Sequence, residues 1–365
     1  MNMNILHIHP SLAGGGIESM ICGLANTMAE RENVSVCSIF EPKESDLFWY
    51  KLSSKVKRGT LGKRKSGFSV VEIFKILFFI RRGGYEVVNL HGFFYYYALT
   101  VLALHHRVKF FYTVHSDAVM ENSGWDRRFF PFKKFCFKKG WVHPITISHA
   151  SQESFKQLYQ CDSQLIYNGI AKPVIEAEDL VSAFRPSAKT KLFIHAGRID
   201  TPKNQVVLCK VFKRLIDEGE DVVLLIAGSK QKQGIYDQME PYFCDRIRYL
   251  GERSDIPQLM AQCDAMCLPS IWEGLPVTLL EALSVGCIPI CSPVGGIPNV
   301  VEQGKNGCLS DSSSEEDYYQ TMSAFLRLSD EELTAMHARC KESFSKYDIE
   351  HTAEFYLQVY QTVSA

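Results

Sequence analysis

The sequence predicts an α/β protein built as two tandem, doubly wound Rossmann-like domains with a cleft between them. Three observations carry that prediction. Short apolar strand-like runs alternate with longer helix-like segments along the chain, the signature of βαβ units and parallel sheets. The alternation breaks at 168–190, where Gly169, Pro173, Pro186 and a group of acids read as a linker. The length, 365 residues, suits two domains of ~100–200 residues each.

In the first half the strands read as NILHIH (4–9), VSVCSIF (34–40), EVVNLH (86–91), VKFFYTV (108–114), PITIS (144–148) and QLIY (164–167). Helical segments fall between them at 17–30, 68–82, 94–105, 128–139 and 149–160. Residues 41–67 are polar, basic and dotted with glycine, and read as a mobile loop on the upper rim of the sheet. The segment FSVVEIFKILFFIRR (68–82) has apolar faces broad enough for a crossover helix packed on a sheet, in preference to a helix lying on a membrane. The second series is KLFIHAG (191–197), DVVLLIAG (221–228), RIRYLG (246–251), DAMCLP (264–269) and IPICS (288–292), with helices at about 203–217, 232–243, 255–263 and 276–286. After Gly307 the chain is helical and polar. The expected domains are 1–168 and 169–348, and no repeat period points to a solenoid.

Composition excludes several classes. A 46% hydrophobic and 22% charged chain is ordinary globular material. The longest apolar run, 93–104, is shorter than the ~18 residues that span a bilayer. No secretory signal is legible at the start, so a cytoplasmic address is expected. The net charge of −1 is a cancellation: residues 1–170 carry an excess of eight positive charges and residues 171–365 an excess of nine negative ones. Residues 51–82 hold ten basic side chains against one acid, Glu72, and RRFFPFKKFCFKK (127–139) interleaves aromatics with cations. A single run of that kind is usually a solvated face; two in one half favour an anionic partner, a membrane surface or nucleic acid. The twelve cysteines do not form a disulfide framework in such a chain. The C-x3-C pairs Cys263/Cys267 and Cys287/Cys291 lie in or beside apolar strands with the wrong spacing for a zinc knuckle. Buried free thiols are expected, and no metal site.

Ligands of open α/β sheets bind at the carboxyl ends of strands. After the first strand comes SLAGGGIES, where Gly14, Gly15 and Gly16 let backbone approach a ligand and the helix start presents N–H groups to an anion. A dinucleotide fingerprint is the rival reading, with Ser19 in the third glycine position and Glu41 as the acid after the second strand. His91 and His115 end the third and fourth strands, placed to meet a hydroxyl or developing charge, His115 being favoured. In the second domain HAGRIDTPKN puts Arg198 and Lys203 where two cations suit a diphosphate; an Asp200–Lys203 surface pair is the plainer alternative. In LPSIWEGLPVTLLEALSVG, Pro276 opens a helix, so the N–H groups of Leu275, Val277 and Thr278 after Gly274 form an anion site. Glu281 lies about two turns beyond Glu273, so the two carboxylates share a face and suit sugar or ribose hydroxyls. No D-x-D pair is present to hold Mg²⁺ on a diphosphate.

GGGIE, TVHS, YNGI (167–170), GRIDTPKN (197–204), EGLPVTLLE (273–281) and SPVGG together resemble the retaining glycosyltransferases of family 4, with GT-B architecture, over essentially the whole chain. The resemblance implies sugar transfer with retention from a nucleotide-sugar, a UDP-sugar, to a hydroxyl acceptor. It also implies a donor held by the second domain, an acceptor held by the first, and a final helix (about 349–365) bracing the first. Arg198 and Lys203 would clamp the diphosphate, Glu273 contact the transferred sugar, and Glu281 the ribose. His115 would face the anomeric region, Gly15 and Gly16 approach the ligands, and Arg253 flank the base. Ala171 and Asn299 depart from the family pattern, each standing where an acid is common. No cofactor, metal or nucleic acid is implied. By analogy the acceptor is a lipid-linked oligosaccharide of surface polysaccharide, met by a peripheral enzyme at the cytoplasmic face of an anionic membrane. A GT-B sugar-nucleotide epimerase or hydrolase and, more remotely, an NAD(P)-binding oxidoreductase are the alternatives.

Overall fold

The computed structural model describes residues 2–363. The chain divides into two compact units, 1–171 with 347–365, and 172–346.

The first unit runs β1 (Asn4–His9), α1 (Gly16–Met28), β2 (Asn33–Phe40), α2 (Leu47–Tyr50), β3 (Lys57–Lys63), α3 (Val70–Gly83), β4 (Val87–His91), α4 (Ala98–Leu104), β5 (Lys109–Val114), α5 (Ala118–Glu121), α6 (Gly124–Arg128), α7 (Phe130–Lys138), β6 (Val142–Thr146), α8 (His149–Tyr159) and β7 (Gln164–Leu165). All seven strands pair in parallel, in the order β3-β2-β1-β4-β5-β6-β7. The order reverses at β1/β4, so the loops leaving these two strands diverge and open a crevice above the sheet.

Both faces of this sheet are covered, which is why its strands read as unbroken apolar runs. One core joins Leu6, Ile8, Val88, Leu90 and Phe110 to α3, α4 and α7. The other joins Ile5, Val34, Val87 and Phe111 to α1. Residues 41–67 are not a free loop: they supply α2 and the edge strand β3, whose Ser35↔Lys57 to Ser38↔Thr60 register extends the sheet. An edge strand tolerates glycine and charge, and this one carries both. The helix expected at 128–139 is two pieces, α6 and α7, with Phe129 between them and Pro131 in the first turn of α7.

The second unit runs β8 (Lys191–Ala196), α9 (Gln205–Asp217), β9 (Val222–Ala227), α10 (Gln233–Met239), β10 (Ile247–Gly251), α11 (Ile256–Met260), β11 (Ala265–Leu268), α12 (Val277–Val285), β12 (Ile288–Cys291), β13 (Cys308–Leu309), α13 (Glu315–Leu326) and α14 (Asp330–Phe344). Its six parallel strands take the order β10-β9-β8-β11-β12-β13, reversing at β8/β11. Cys263, Cys267, Cys287 and Cys291 are buried free thiols of this core. Helix ends are written locally: Ser329 makes a reciprocal capping box with Glu332 at the start of α14, and Gly286 closes α12 in the left-handed region.

The last helix, α15 (Ile349–Thr362), rejoins the first unit. Asp348 caps it, and Ile349, Ala353, Tyr356, Leu357 and Tyr360 line the second of the two cores. Two hydroxyls anchor it to buried strand residues: Asn89 Nδ2 donates to Tyr360 Oη at 2.9 Å, and Thr113 Oγ1 lies 3.4 Å from Tyr356 Oη.

Candidate functional site

In the second unit, three strand-end loops converge at the β8/β11 reversal. The β8–α9 loop carries Arg198 and Lys203, the β11–α12 loop carries Glu273 and Gly274, and the loop after β12 carries Gly295 and Gly296. Asn204, left-handed at φ 57°, ties the first loop down by donating to Pro269 O (3.1 Å) and Ser313 O (3.0 Å). Ile271 N donates to Pro202 O at 2.8 Å. Gly295, at φ +58°, lies so close to the β11–α12 loop that a Cβ there would be 2.0 Å from Glu273 O, and Gly296 N donates to Gly274 O at 2.6 Å. Gly228 (φ +152°) presses as closely on Gly197, whose O would be 2.0 Å from an added Cβ. Only glycine fits at either place.

The loops bring Lys203 and Glu273 together: Lys203 Nζ lies 2.6 Å from Glu273 Oε1, and Ser270 Oγ donates to the same oxygen at 2.7 Å. The two charged side chains are only 18% and 10% exposed. The Asp200–Lys203 alternative is therefore wrong, since Asp200 pairs with Lys232 at 3.0 Å. Arg198 is exposed, while its carbonyl accepts from Gln205 Nε2 at 2.7 Å. Beneath this loop His195 donates from Nδ1 to Cys267 O (2.9 Å), which leaves Nε2 to accept from Gln205. Burial holds His195 neutral, its pKa pushed down to about 4.

The two glutamates do not share a helical face. Helix α12 begins at Val277 with Pro276 as its N-cap, so Glu273 belongs to the preceding loop and Glu281 alone is helical. Val277 and Thr278 form the first turn, where N–H groups have no intrahelical partner. Arg253 is held by Asp255 at 2.8 Å.

In the first unit β1, β4 and β5 all end in histidine-bearing segments, and three of the rings link diagonally across a parallel register that pairs His7 with Asn89 and His91 with Thr113. His7 Nδ1 lies 3.2 Å from His91 Nε2, and His91 Nδ1 lies 2.8 Å from His115 Nε2. Burial lowers all three, His7 to about 4, His115 to about 3 and His91 well below its ordinary value, so the chain of rings is neutral at pH 7. His9 turns away, its Nδ1 donating to Ser11 O at 2.5 Å. Glu121 accepts from the N–H groups of His115 (2.5 Å) and Ser116 (3.0 Å) and so fixes the turn after β5. Its burial pushes its pKa up to about 7.

A cavity of about 440 Å³ opens beside these groups, bounded by His9, His115, Glu121 and Asp126 with the rings of Tyr95 and Trp125. Gly15 and Gly16 stand at the start of α1, where Gly15 is the N-cap and Glu18 folds back toward it. The acid of the dinucleotide reading, Glu41, is engaged by Arg64 at 2.5 Å.

Two features escaped the sequence. The linkage of His7 to His91 and His115 had only a partial signal: EVVNLH and TVH close on the linked histidines, but in NILHIH the linked ring is His7 and not the closing His9. Lys133 had none. Counted within a basic surface stretch, it is 1% exposed, with Nζ 4.0 Å from the centroid of the Tyr112 ring and Asp126 and Glu121 offsetting its burial. Among the described residues no group of three or more His, Cys, Asp or Glu side chains is disposed to hold a metal ion, and no helix is long and apolar enough to cross a membrane.

Two doubly wound parallel sheets are the architecture of the GT-B fold, and solved structures of that fold superpose on the chain. A glycosyltransferase from Rickettsia africae ESF-5 superposes with TM-score 0.82 at 15% identity, covering 99% of this chain and 98% of that one. Anabaena Alr3699/HepE in complex with UDP and glucose superposes with TM-score 0.79 at 17% identity, covering 99% and 100%. Residues 14–171 match the family model described as Glycosyltransferase Family 4, and residues 178–346 match Glycosyl transferases group 1. The chain belongs to this glycosyltransferase family.

Among curated relatives, N-acetyl-alpha-D-glucosaminyl L-malate synthase of Bacillus anthracis is 28% identical over 55% of this chain and 54% of its own length. UDP-Gal:alpha-D-GlcNAc-diphosphoundecaprenol alpha-1,3-galactosyltransferase of Escherichia coli is 27% identical over 57% and 52%. These matches span about half the length of each relative.

Proposed function

We propose that the protein transfers a sugar from a nucleotide-sugar, a UDP-sugar, to a hydroxyl of a lipid-linked oligosaccharide, with retention and without a metal ion. The observation that carries the reading is the Lys203–Glu273–Ser270 cluster at the strand-order reversal of the second unit, where open α/β sheets bind ligands. Family membership, relatives named for undecaprenol-linked substrates and a neighbour holding UDP and glucose support it.

In this reading the second unit holds the donor. Lys203 has donors to spare beyond Glu273 and, with Arg198 and the N–H groups of Leu275, Val277 and Thr278 after Gly274, neutralises the diphosphate as the glycosidic bond breaks. That set replaces a divalent cation. Glu273 orients the transferred sugar by accepting from its hydroxyls, Glu281 does the same for the ribose, and Arg253 flanks the base. The first unit holds the acceptor, with Gly15 and Gly16 giving close backbone approach and His115 meeting a ligand oxygen. The acceptor hydroxyl attacks the anomeric carbon on the face the phosphate leaves, and the departing phosphate takes its proton.

The enzyme works at the cytoplasmic face of a membrane. Helix α3 supports that placement. It buries Ile76 and Ile80 but leaves Val70, Val71, Phe74 and Phe78 half exposed, with Arg81 and Arg82 in its last turn, an apolar strip rimmed by cations.

The test is incubation with a panel of UDP-sugars and an undecaprenyl-diphosphate-linked saccharide, with and without EDTA, reading product anomericity by NMR. An α-linked product from an α-linked donor, formed equally in EDTA, is expected. An inverted product, loss of activity in EDTA, or trapping of a glycosyl group on Glu273 would each overturn the corresponding part.

A further inference from the structure

The backbone leaves β4 through two successive residues in the left-handed region, Gly92 at φ 65° and Phe93 at φ 45°. Glycine adopts that region freely, whereas a bulky aromatic residue held there is strained. The turn sends neighbouring phenylalanines in opposite senses. Phe94 is fully buried in the core, while Phe93 is 42% exposed and bounds the cavity of about 440 Å³ beside His115. A glycine at 93 would make the same turn without strain. What the strain retains is an aromatic ring at the cavity.

The other walls define what could meet that ring. Trp125 is already engaged, stacked on Phe68 at 4.6 Å with the Arg128 guanidinium 4.3 Å from its ring centroid. Tyr95 leans on Tyr96 at 4.4 Å and on Phe68 at 5.9 Å. Phe93 meets Tyr95 at 5.7 Å, tilted by 53°, and its exposed part is left to the cavity. The charged boundary is Glu121 and Asp126. Glu121 accepts from His115 N and Ser116 N, and Asp126 Oδ1 from Tyr95 N at 3.0 Å, but a carboxylate has lone pairs beyond these. Among the described residues no lysine or arginine bounds the cavity; Lys133, which offsets the two acids, is 1% exposed. An aromatic face beside acceptor groups, with no cation, suits an uncharged ligand that is apolar on one side and carries hydroxyl donors at its edge. A pyranose has that form. Its axial C–H groups present a weakly positive surface to the negative face of the ring, and its hydroxyls donate to carboxylates.

We propose that this cavity binds one uncharged pyranose, with Phe93 as the ring on which the sugar stacks and Glu121 and Asp126 as acceptors for its hydroxyls. This deepens the functional reading above: that the sugar is a residue of the glycan acceptor rests on that reading, whereas the binding of a pyranose does not. The site is also selective. A sugar bearing a carboxylate brings its charge against two acids with no cation to meet it, so uronic acids are turned away. Phe93 sets specificity as a stacking face and takes no part in bond making.

The test is saturation-transfer NMR at pH 8, above the value of about 7 to which burial raises Glu121. The probes are the methyl glycosides of glucose, galactose, mannose and N-acetylglucosamine, with methyl glucuronide as the charged comparison. At least one neutral glycoside is expected to bind through the C–H groups of one ring face, and the glucuronide at least ~tenfold more weakly. Phe93→Gly should weaken the bound glycoside about fivefold or more, while its melting temperature stays level or rises because the strain is gone. Phe93→Asn, which also tolerates the left-handed region, should behave in the same way, and Phe93→Tyr should bind as the parent does. The proposal is overturned by the absence of saturation transfer to every neutral glycoside, by parental binding in Phe93→Gly, or by glucuronide binding as tight as that of the glucoside. Pyranose binding that depends on Phe93, in a protein that transfers no sugar from any UDP-sugar, would instead overturn the functional reading and leave this site standing.

Discussion

Lys203 Nζ and Glu273 Oε1 meet at 2.6 Å across 70 positions of sequence, joining the loop after β8 to the loop after β11 at the point where the strand order of the second sheet reverses. The pair has two roles that mutation can separate. It neutralises a poorly solvated carboxylate in the free protein, and it presents an ammonium that a diphosphate would share.

Lys203→Ala should therefore lower both activity and stability. Loss of one charge-stabilising donor is worth ~100–1,000-fold in turnover. Leaving Glu273 unpaired should cost ~1–3 kcal/mol of unfolding free energy. The double variant Lys203→Met/Glu273→Gln should regain the stability and none of the activity. Urea unfolding and UDP-sugar turnover of the set measure the two effects; a single variant with parental turnover would move the donor site elsewhere.

Gly295→Ala is expected to be damaging although no ligand group is removed. Its φ of +58° alone costs ~1–3 kcal/mol for a residue with a side chain, and the overlap with Glu273 O at 2.0 Å forces the β11–α12 loop away. The melting temperature should fall and UDP binding, followed by calorimetry, should weaken at least tenfold. Parental affinity would mean that the loop after β12 does not set the position of Glu273.

The fold class was legible because a parallel sheet covered on both faces writes its strands as unbroken apolar runs such as VVLLIA. The edge strand β3 was not. KRGTLGK is paired on one side only, so charge and glycine replaced the usual signal. The site was legible as loop residues and not as geometry. Lys203 and Glu273 each followed a strand, but their ion pair depends on Asn204, Gly295 and Gly296 holding separate loops together. Helical spacing suggested that Glu273 and Glu281 share a face, yet a helix that starts at Val277 cannot carry Glu273. Lys133 shows the same limit: composition counts a charge but cannot say that three aromatic rings and two carboxylates surround it.

Buried neutral histidines set the acid limit of stability. A histidine whose pKa is lowered on folding favours the folded state above its unfolded value of 6.5, and that advantage is lost as pH falls toward its folded value. His7 and His195, each lowered to about 4, are worth on the order of 3 kcal/mol apiece over that window, and His91 and His115 act in the same direction. Glu121 opposes them: raised to about 7, it favours folding increasingly as pH falls from about 7 toward its ordinary value of 4.5. Asp126, also raised by burial, acts with Glu121, but two carboxyls do not balance these four imidazoles with His9 and His143, which burial lowers as well, so the melting temperature should fall steadily from pH 6.5 to pH 4.5. His195→Asn should make that fall shallower. A melting temperature that is level or rising over the same interval would contradict the buried, neutral state of these rings.

The exposed strip of α3 gives the last prediction. Phe74 and Phe78, 48% and 49% exposed, lie one turn apart on the outer side of a helix whose inner side, Ile76 and Ile80, is buried in the core. Glu72, the one acid among residues 51–82, is buried and paired with Lys75 at 3.3 Å, so no exposed carboxylate from this stretch offsets Arg81 and Arg82. Phe74→Ser/Phe78→Ser should leave the melting temperature close to that of the parent, since the core contacts of α3 remain. It should weaken binding to vesicles of phosphatidylcholine with phosphatidylglycerol at least tenfold, the ratio that removing ~1.4 kcal/mol or more of apolar insertion gives. Arg81→Gln/Arg82→Gln should weaken binding as well and remove part of its salt dependence, because headgroup attraction by cations is screened within a Debye length of ~8 Å at physiological ionic strength. If sedimentation with these vesicles is unchanged by either pair, or is the same with phosphatidylcholine alone, the strip on α3 is not a membrane surface.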